Sequence, residues 1–224
     1  MPSIFFISSC LLLSIVSFSQ EGTSSPYSFY GIGEARFNGN VESRSMGGIS
    51  MIPDSTRINF QNPAAYGNLK WTNFVIAGSS DYKKQKSGSS DASTQRTTLD
   101  YIALAVPLGK FGAGFGLIPY SSVGYKIENF YPDGSQNNKR FNGWGGMNRV
   151  FLGTGYRILP NLSIGASAYY NFGKIQSNSV EFVPYIPIGS RDLNVNDLAG
   201  INFNLGLMYQ YKLKGKLTIF SSLY

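Results

Sequence analysis

The chain has 224 residues, with 19 Lys and Arg against 12 Asp and Glu, and a net charge of +7. Charged residues make up only 14% of the chain, whereas glycine contributes 26 residues and aromatic residues 15%. The absence of histidine excludes Ser-His-Asp catalysis and His-ligated metals, and a single cysteine excludes a disulfide framework. We therefore expect no enzyme, no catalytic residue, no cofactor and no metal site.

The N-terminal residues 1–19 have the pattern of a secretory signal peptide. The run from Ile4 to Phe18 is uncharged and too short to span a bilayer comfortably as a helix. Ser17 and Ser19 place small residues before Gln20, where we predict cleavage. A lipoprotein anchored through Cys10 is the alternative, although only nine residues precede it. Either way the sequence predicts export.

After residue 70 the chain alternates between apolar and polar residues. In 200–213, for example, Ile201 and Phe203 share one face of a strand and Asn202 and Asn204 share the other. Strands of this length suit a tilted crossing of a membrane, which needs about 9–11 residues. The predicted strands are 71–80, 97–106, 111–123, 149–159, 161–173, 200–213 and one that begins at Leu217.

The connections between these strands alternate in length. The predicted long loops are 81–96, 124–148 and 174–199, and the tight turns are Pro107–Lys110, Pro160–Asn161 and Lys214–Lys216. This is the layout of an outer-membrane β-barrel, and aromatic residues near the strand ends fit its interfacial girdles. We predict an all-β protein, a transmembrane antiparallel barrel over residues 71–224. A secreted β-sandwich and a lipocalin-like barrel remain alternatives.

The number of strands predicts an incomplete barrel. Seven strands are odd, whereas bacterial single-chain barrels have an even number. An eighth strand over 180–188 is disfavoured by Pro184 and Pro187, which cannot donate to a ladder. We therefore expect the chain to be the N-terminal part of a barrel, truncated before closure.

Four segments are similar to a known family. They are SPYSFYGIGE at Ser25–Glu34, MGG at Met46–Gly48, NPAAYGNL at Asn62–Leu69 and PLGKFGAGFGLIPYSSVGY at Pro107–Tyr125. Together they resemble the FadL-type long-chain fatty acid transport family, in a divergent branch beginning SPYSxYGxG. The resemblance implies a fourteen-stranded barrel plugged by an N-terminal hatch, here residues 20–70, with an Asn-Pro-Ala motif before the first strand.

The proposed hatch motif consists of Asn62, Pro63 and Ala64, with Gly47 and Gly48. Asn62 can cap backbone N–H groups and Pro63 suits the first helical position, which predicts a short helix near 63–69. A helix cap without any further role is the alternative. Residues 22–66 have too few periodic apolar positions for a core of their own, so we expect them to pack inside the barrel.

The third predicted strand contains a candidate lateral gate. Gly112, Gly114 and Gly116 share one face, which lets another backbone approach closely, and Pro119 removes a ladder donor. This combination predicts a kink or bulge that opens the wall, and the resemblance implies that ligand leaves through such an opening. Alternatively, the glycines accommodate neighbouring rings and Pro119 marks the end of the strand.

These features predict a passive outer-membrane barrel that takes up hydrophobic, fatty-acid-like small molecules. The expected partners are outer-membrane lipid and lipopolysaccharide, with a hydrophobic small-molecule ligand as a further candidate. Nucleic acid is not expected, because the basic residues Lys83, Lys84 and Lys86 have no interleaved aromatic residues. The alternative function is a non-transporting surface or secretion-associated barrel that scaffolds partner proteins.

Overall fold

The computed structural model describes residues 23–87, 90–131, 137–182, 189–213 and 217–224. The predicted signal peptide, Cys10, Pro184, Pro187 and the turn at 214–216 lie outside these residues. Eight strands are present: β1 (Glu34–Ala35), β2 (Asn73–Ser87), β3 (Ser90–Leu108), β4 (Phe111–Asn129), β5 (Asn138–Leu159), β6 (Leu162–Phe182), β7 (Ser190–Lys212) and β8 (Thr218–Leu223). The helices are short: α1 (Val41–Ser45) and two 3-10 helices, Pro26–Phe29 and Pro63–Asn68.

The strands form one antiparallel sheet in the order β2-β3-β4-β5-β6-β7-β8, and β1 pairs with β4 beside this path. The fold is therefore all-β, as predicted. Within the described residues no ladder joins β2 to β8, so the sheet is not closed into a barrel. None of the helices in the described part of the chain has the length and apolar content needed to cross a membrane.

The strands are longer than the sequence predicted. Five of the six strands from β2 to β7 have 19 to 23 residues, and β2 has 15. Much of the predicted long loops 81–96, 124–148 and 174–199 belongs to strands, so these loop boundaries were wrong. In the extensions of β2 over residues 81–87 and of β3 over residues 90–96, both faces carry mostly polar side chains, so the alternation is lost although the strands continue to pair.

The two faces of the sheet differ in polarity. On the outer face of β7, Phe203 and Leu205 are 76% and 74% exposed. On the inner face, the Asn171 amide donates to Asn202 Oδ1 at 2.6 Å, and the Asn204 amide donates to Gln61 O at 3.0 Å. On β7, apolar residues thus face outwards and polar residues inwards.

The N-terminal segment, residues 23–72, packs against the inner face. Its second 3-10 helix contacts β3 to β7. Phe60 lies against Tyr101 and Phe151, with ring centroids 4.8 and 5.6 Å apart. The core therefore forms between the segment and the sheet, from these buried residues: Ile58, Phe60, Tyr66, Leu69, Tyr101, Ala103, Ala105, Ile118, Phe151 and Tyr169.

Candidate functional site

The Asn-Pro-Ala motif begins a short helix, where the sequence predicted one. Asn62 has an extended backbone, and its side-chain oxygen accepts a hydrogen bond from Ala64 N at 2.9 Å. Pro63 occupies the first helical position, where a missing N–H costs nothing. Asn62 and Ala64 are both 0% exposed, so the motif is fully enclosed by the sheet.

Glycines on four strands form a cradle for this helix. A Cβ at Gly114 or Gly153 would come within 2.7 or 2.6 Å of the Tyr66 ring, and one at Gly155 would come within 2.6 Å of Gly67 N. Such distances are too short for any real side chain, so only glycine allows this approach. We call the following residues the glycine cradle: Gly112, Gly114, Gly153, Gly155, Gly165 and Gly206.

Asparagine side chains connect the helix region to the strands. The Asn62 amide donates to Leu207 O at 3.2 Å, and the Asn68 amide donates to Ser163 Oγ at 3.1 Å. Burial raises the pKa of the Tyr66 hydroxyl, which keeps the side chain neutral. The helix is therefore held by packing and by polar contacts at both of its ends.

Gly47 and Gly48 lie at the end of α1, away from the glycine cradle. Both have left-handed backbones, with φ of 72° and 92°. Gly48 N donates to Ser43 O and Gly47 N donates to Arg44 O, which satisfies carbonyls at the helix terminus. The structure thus places these glycines at a helix C-terminus, whereas Asn62, Pro63 and Ala64 lie at a helix N-terminus.

Strands β3 and β4 separate along part of their length. They pair from Leu108 and Phe111 as far as Ile102 and Leu117. Beyond that point β3 follows β2 and β4 follows β5, and no ladder joins the two strands in the described ranges. We call this gap the β3–β4 fork.

The N-terminal segment enters the β3–β4 fork and pairs with β4. Glu34 and Ala35 are in register with Ser122 and Ser121. Arg36 N donates to Tyr120 O, and Ser25 N donates to Gly124 O, both at 2.9 Å. β1 therefore acts as an added strand on the β4 edge that β3 has left.

Charged residues connect β1 to the other side of the fork. The Asp100 side chain is only 4% exposed and lies 3.6 Å from Arg36 Nη1 and 3.3 Å from Arg44 Nη1. The Ser79 hydroxyl donates to Asp100 Oδ1 at 2.7 Å. A register shift between Ala77 and Gly78 leaves Asp100 as the extra residue of a bulge, and bulges re-aim side chains in this way.

Glu34 makes a second, more exposed ionic contact. Lys83 Nζ lies 2.9 Å from Glu34 Oε2, and the Thr23 hydroxyl donates to the same oxygen at 2.6 Å. The Thr23 hydrogen bond, helped by Lys83 and Arg36, lowers the pKa of Glu34 against the opposing effect of burial. The β1 segment thus carries an acidic and a basic side chain, each with a partner on β2 or β3.

A buried arginine lies on the inner face near the fork. Arg149 is 8% exposed, and its Nε donates to Asn171 Oδ1 at 2.8 Å. Its guanidinium carbon lies 4.2 Å from the ring centroid of Tyr120 and 4.8 Å from that of Tyr169. Two cation–π contacts therefore hold this charge between β4 and β6.

The candidate gate residues lie on both sides of the start of the fork. Gly112 and Gly114 belong to the glycine cradle, whereas a Cβ at Gly116 would meet Ala103 of β3 at 2.8 Å. β4 has a register irregularity between Pro119 and Ser121, just beyond the last pair with β3. The role of these residues as a gate stays a prediction.

Several residues of the site were missed in the sequence. Tyr66 lies inside the NPAAYGNL run, but nothing in the alternation marked it as the side chain enclosed by the glycine cradle. Asp100 stands out in the sequence as a lone acidic residue directly before the apolar run of β3, and this position could have identified it as a candidate site residue. Within the described residues, no group of three acidic or thiol side chains could hold a metal ion.

The comparisons with known proteins identify a different family from the predicted one. The model of the BamG family matches residues 1–224, the whole length of the chain. No curated protein and no solved structure matches the chain. BamG is a family of outer-membrane protein assembly factors, which associates the chain with the outer membrane.

This match corrects the predicted function. The FadL-type resemblance was wrong. The predictions that followed from it, which were passive uptake of hydrophobic molecules and a transport and porin-like character, were wrong as well. The non-transporting scaffold, our alternative, fits the family better. The short motifs were misleading because glycines and an Asn-Pro helix start reflect how a segment packs on a sheet. Proteins that share such a packing arrangement can have unrelated functions. Because the match extends over the entire sequence, the chain belongs to the BamG family.

Proposed function

We propose that this protein is a non-enzymatic scaffold of the outer-membrane protein assembly machinery. The observation that carries the proposal is the match of the whole chain to the BamG family. The docked N-terminal segment supports the proposal, because its second 3-10 helix covers the inner face of the sheet from β3 to β7. An inner face filled in this way suits a rigid platform better than a conduit.

We further propose that the sheet is a wall in the outer membrane, with the N-terminal segment as a plug on its inner side. Ile201, Phe203 and Leu205 on the outer face of β7 are 68–76% exposed. An apolar surface of this kind would drive association in water, but it is stable against lipid chains. A groove of about 730 Å³ on this face is lined by a row across five strands: Phe111, Tyr156, Ile164, Leu207 and Leu223.

Stacked aromatic pairs mark the limits of this apolar zone. Tyr170 and Phe172 stack with centroids 5.8 Å apart, and Tyr209 and Tyr211 with centroids 6.5 Å apart. Tyr170 and Phe172 are in register with Ile201 and Ala199, so the centres of the two pairs are separated by roughly 33 Å along the strands at about 3.3 Å per residue. At a strand tilt of about 35–45° this distance spans roughly 25 Å of height, which fits aromatic girdles on an apolar band of about 25 Å, with lipid and lipopolysaccharide as neighbours.

Export through the N-terminal residues is part of the same proposal. Two mature N-termini are compatible with the sequence: Gln20 after signal cleavage, or a lipid-modified Cys10, which the lipoprotein character of the family favours. The intact mass of the mature protein distinguishes the two products. Recovery of the unprocessed chain from the inner membrane or cytoplasm would overturn the export proposal.

Co-purification from outer membranes tests the scaffold function. The full chain is tagged, extracted in a mild detergent and compared with a tagged, unrelated outer-membrane barrel of equal abundance. We expect an outer-membrane protein assembly component to be enriched at least tenfold over this control. Depletion of the chain is expected to lower the amount of other folded outer-membrane proteins. Equal recovery in the two preparations, with no effect of depletion, would overturn the proposal.

A further inference from the structure

The β3–β4 fork exposes strand edges that the main sheet does not use. β3 and β4 share only seven register pairs, although each strand has 19 residues. The edge of β4 from Pro119 onwards is therefore available for backbone hydrogen bonds to another strand. Unpaired strand edges are templates for pairing, and proteins usually cover them.

The chain covers only a part of this edge. β1 has two residues in register with Ser121 and Ser122, and the flanking bonds reach Tyr120 and Gly124. From Tyr125 to Asn129 the same edge carries no ladder in the described part of the chain. A longer extended segment would thus form more backbone hydrogen bonds with β4 than β1 does.

The surroundings of β1 specify the charge of an occupant. Asp100 is buried, and both of its cationic neighbours, Arg36 and Arg44, belong to the N-terminal segment. Removing Arg36 would leave the Asp100 carboxylate less neutralised, which is costly for a buried charge. A replacement strand that carries a basic residue at the position of Arg36 avoids this cost.

The fork also has room for a larger occupant. A cavity of about 510 Å³ lies beside Arg36, between Leu99 on β3 and Leu117 and Pro119 on β4. Side chains of a strand placed along β4 could enter this space, whereas the N-terminal segment contributes only Arg36 to its lining.

We propose that the β3–β4 fork is a strand-acceptor site, in which an extended segment of a partner polypeptide displaces β1 and pairs with β4. The occupant is a β-strand with a basic side chain aligned with Asp100, and β1 is the internal placeholder. This inference rests on the proposed scaffold function. Strand addition to a sheet edge is a general mode of peptide recognition, in which the backbone supplies affinity and side-chain pockets supply specificity.

A reversible disulfide that fixes β1 in the fork tests the proposal. Ala35 and Ser121 are in register, so Ala35→Cys with Ser121→Cys closes the site under oxidation and opens it on reduction. Thr154→Cys with Ala166→Cys is the matched control, because it joins two strands of a permanent ladder. The probe is a fluorescent peptide with the sequence of Thr23–Asn38, added to the full-length protein in detergent.

We expect the reduced protein to bind this peptide and the oxidised Ala35–Ser121 lock to bind it at least tenfold more weakly. The control disulfide should leave binding unchanged in both redox states. A peptide with Glu at the position of Arg36 should bind at least tenfold more weakly than the parent peptide. Equal binding by locked and unlocked protein would overturn the strand-acceptor site, and equal binding of the two peptides would overturn the role of Asp100.

A second measurement separates this inference from the scaffold function. A photo-crosslinker at Leu99, which lines the fork, is combined with the same lock in cells. We expect crosslinks to an extended segment of an assembly component or its substrate, and their loss on oxidation, while co-purification with the machinery persists. If the wild-type protein, which carries no lock, did not co-purify with the assembly machinery, that result would contradict the scaffold function itself. Crosslinks between two copies of this chain would overturn the proposal that the strand in the fork comes from a partner polypeptide.

Discussion

The ring of Tyr66 lies between Gly114 and Gly153, where a Cβ on either glycine would come within 2.7 or 2.6 Å of ring carbons. The ring is almost fully buried, at 2% exposure, and it joins the N-terminal segment to β4 and β5. Gly114 and Gly153 are in register on β4 and β5, so their backbones together form the surface on which the ring packs, and an added methyl group on either would overlap the ring.

Gly114→Ala is therefore expected to loosen the N-terminal segment. Overpacking of a tight core costs about 1–3 kcal/mol, and a cost of about 1.4 kcal/mol corresponds to a tenfold change in the open population. The measurement is the rate of tryptic cleavage at Arg57 and Lys70 in the folded protein. Gly200→Ala is the control, because a Cβ there has no neighbour within 4 Å. Similar cleavage rates in the two variants would contradict the glycine cradle.

Asn62→Ala is expected to destabilise the same segment by a different route. It removes the helix cap to Ala64 N and the hydrogen bond to Leu207 O. Loss of an N-cap costs about 0.5–2 kcal/mol, and the Leu207 bond adds to this. Faster cleavage at Lys70, with unchanged cleavage in the exposed-site variant Asn129→Ala, is the expected result. An unchanged rate in Asn62→Ala would show that the cap is dispensable.

Asp100→Asn is expected to release the segment around β1. Hydrogen bonds to charged groups contribute about 1.5–3 kcal/mol, and Asp100 interacts with Arg36 and Arg44. The matched control is Glu128→Gln, which removes an exposed ion pair with Arg140 at 2.8 Å and should cost under about 1 kcal/mol. Amide hydrogen exchange at Arg36, whose N–H donates to Tyr120 O, measures the difference. Equal protection in the two variants would contradict the electrostatic contact across the fork.

Acidification is expected to weaken the docking of β1 through Glu34. The folded protein holds the pKa of Glu34 below its ordinary value of 4.5. The stabilisation is therefore complete above that pH and is lost as the pH falls through the lower folded value. Amide protection at Arg36, whose N–H donates to Tyr120 O, should decline below pH 4.5 in the wild type once intrinsic exchange has been corrected for. Glu34→Gln isolates this carboxylate, and an identical decline in that variant would exclude it as the cause.

The proposed lipid-facing surface predicts a position-dependent effect of charge. Leu205 is 74% exposed, midway between the aromatic pairs on β7, and Leu193 is 51% exposed on the same face, outside the aromatic pairs. A lysine near the bilayer midplane of a barrel costs about 2–4 kcal/mol and much less near the interface. Leu205→Lys should thus lower the amount of folded protein in the outer membrane, and Leu193→Lys should not. Equal amounts would contradict the membrane wall.

Sequence reasoning succeeded where one face of an element is apolar. The alternation of Ile201, Phe203 and Leu205 with polar neighbours identified β7 as a strand with one apolar face, and Asn62 and Pro63 identified a helix start. It failed in the strand extensions, as at Lys83 to Lys86, because polar residues on both faces carry no period-2 contrast. It also failed for β1, whose two residues form a strand only because they pair with the edge of β4, which is far away in sequence.

The sequence alone thus determined the all-β class, the apolar and polar faces of β7 and the local start of the helix, because these depend on residues close together in the chain. The tertiary structure decided that β3 and β4 separate, that Glu34–Ala35 fill the gap, and that Asp100 meets Arg36 and Arg44. These contacts join residues that lie 56 to 88 positions apart. They depend on register and on a bulge at Asp100, which no local pattern of side chains encodes.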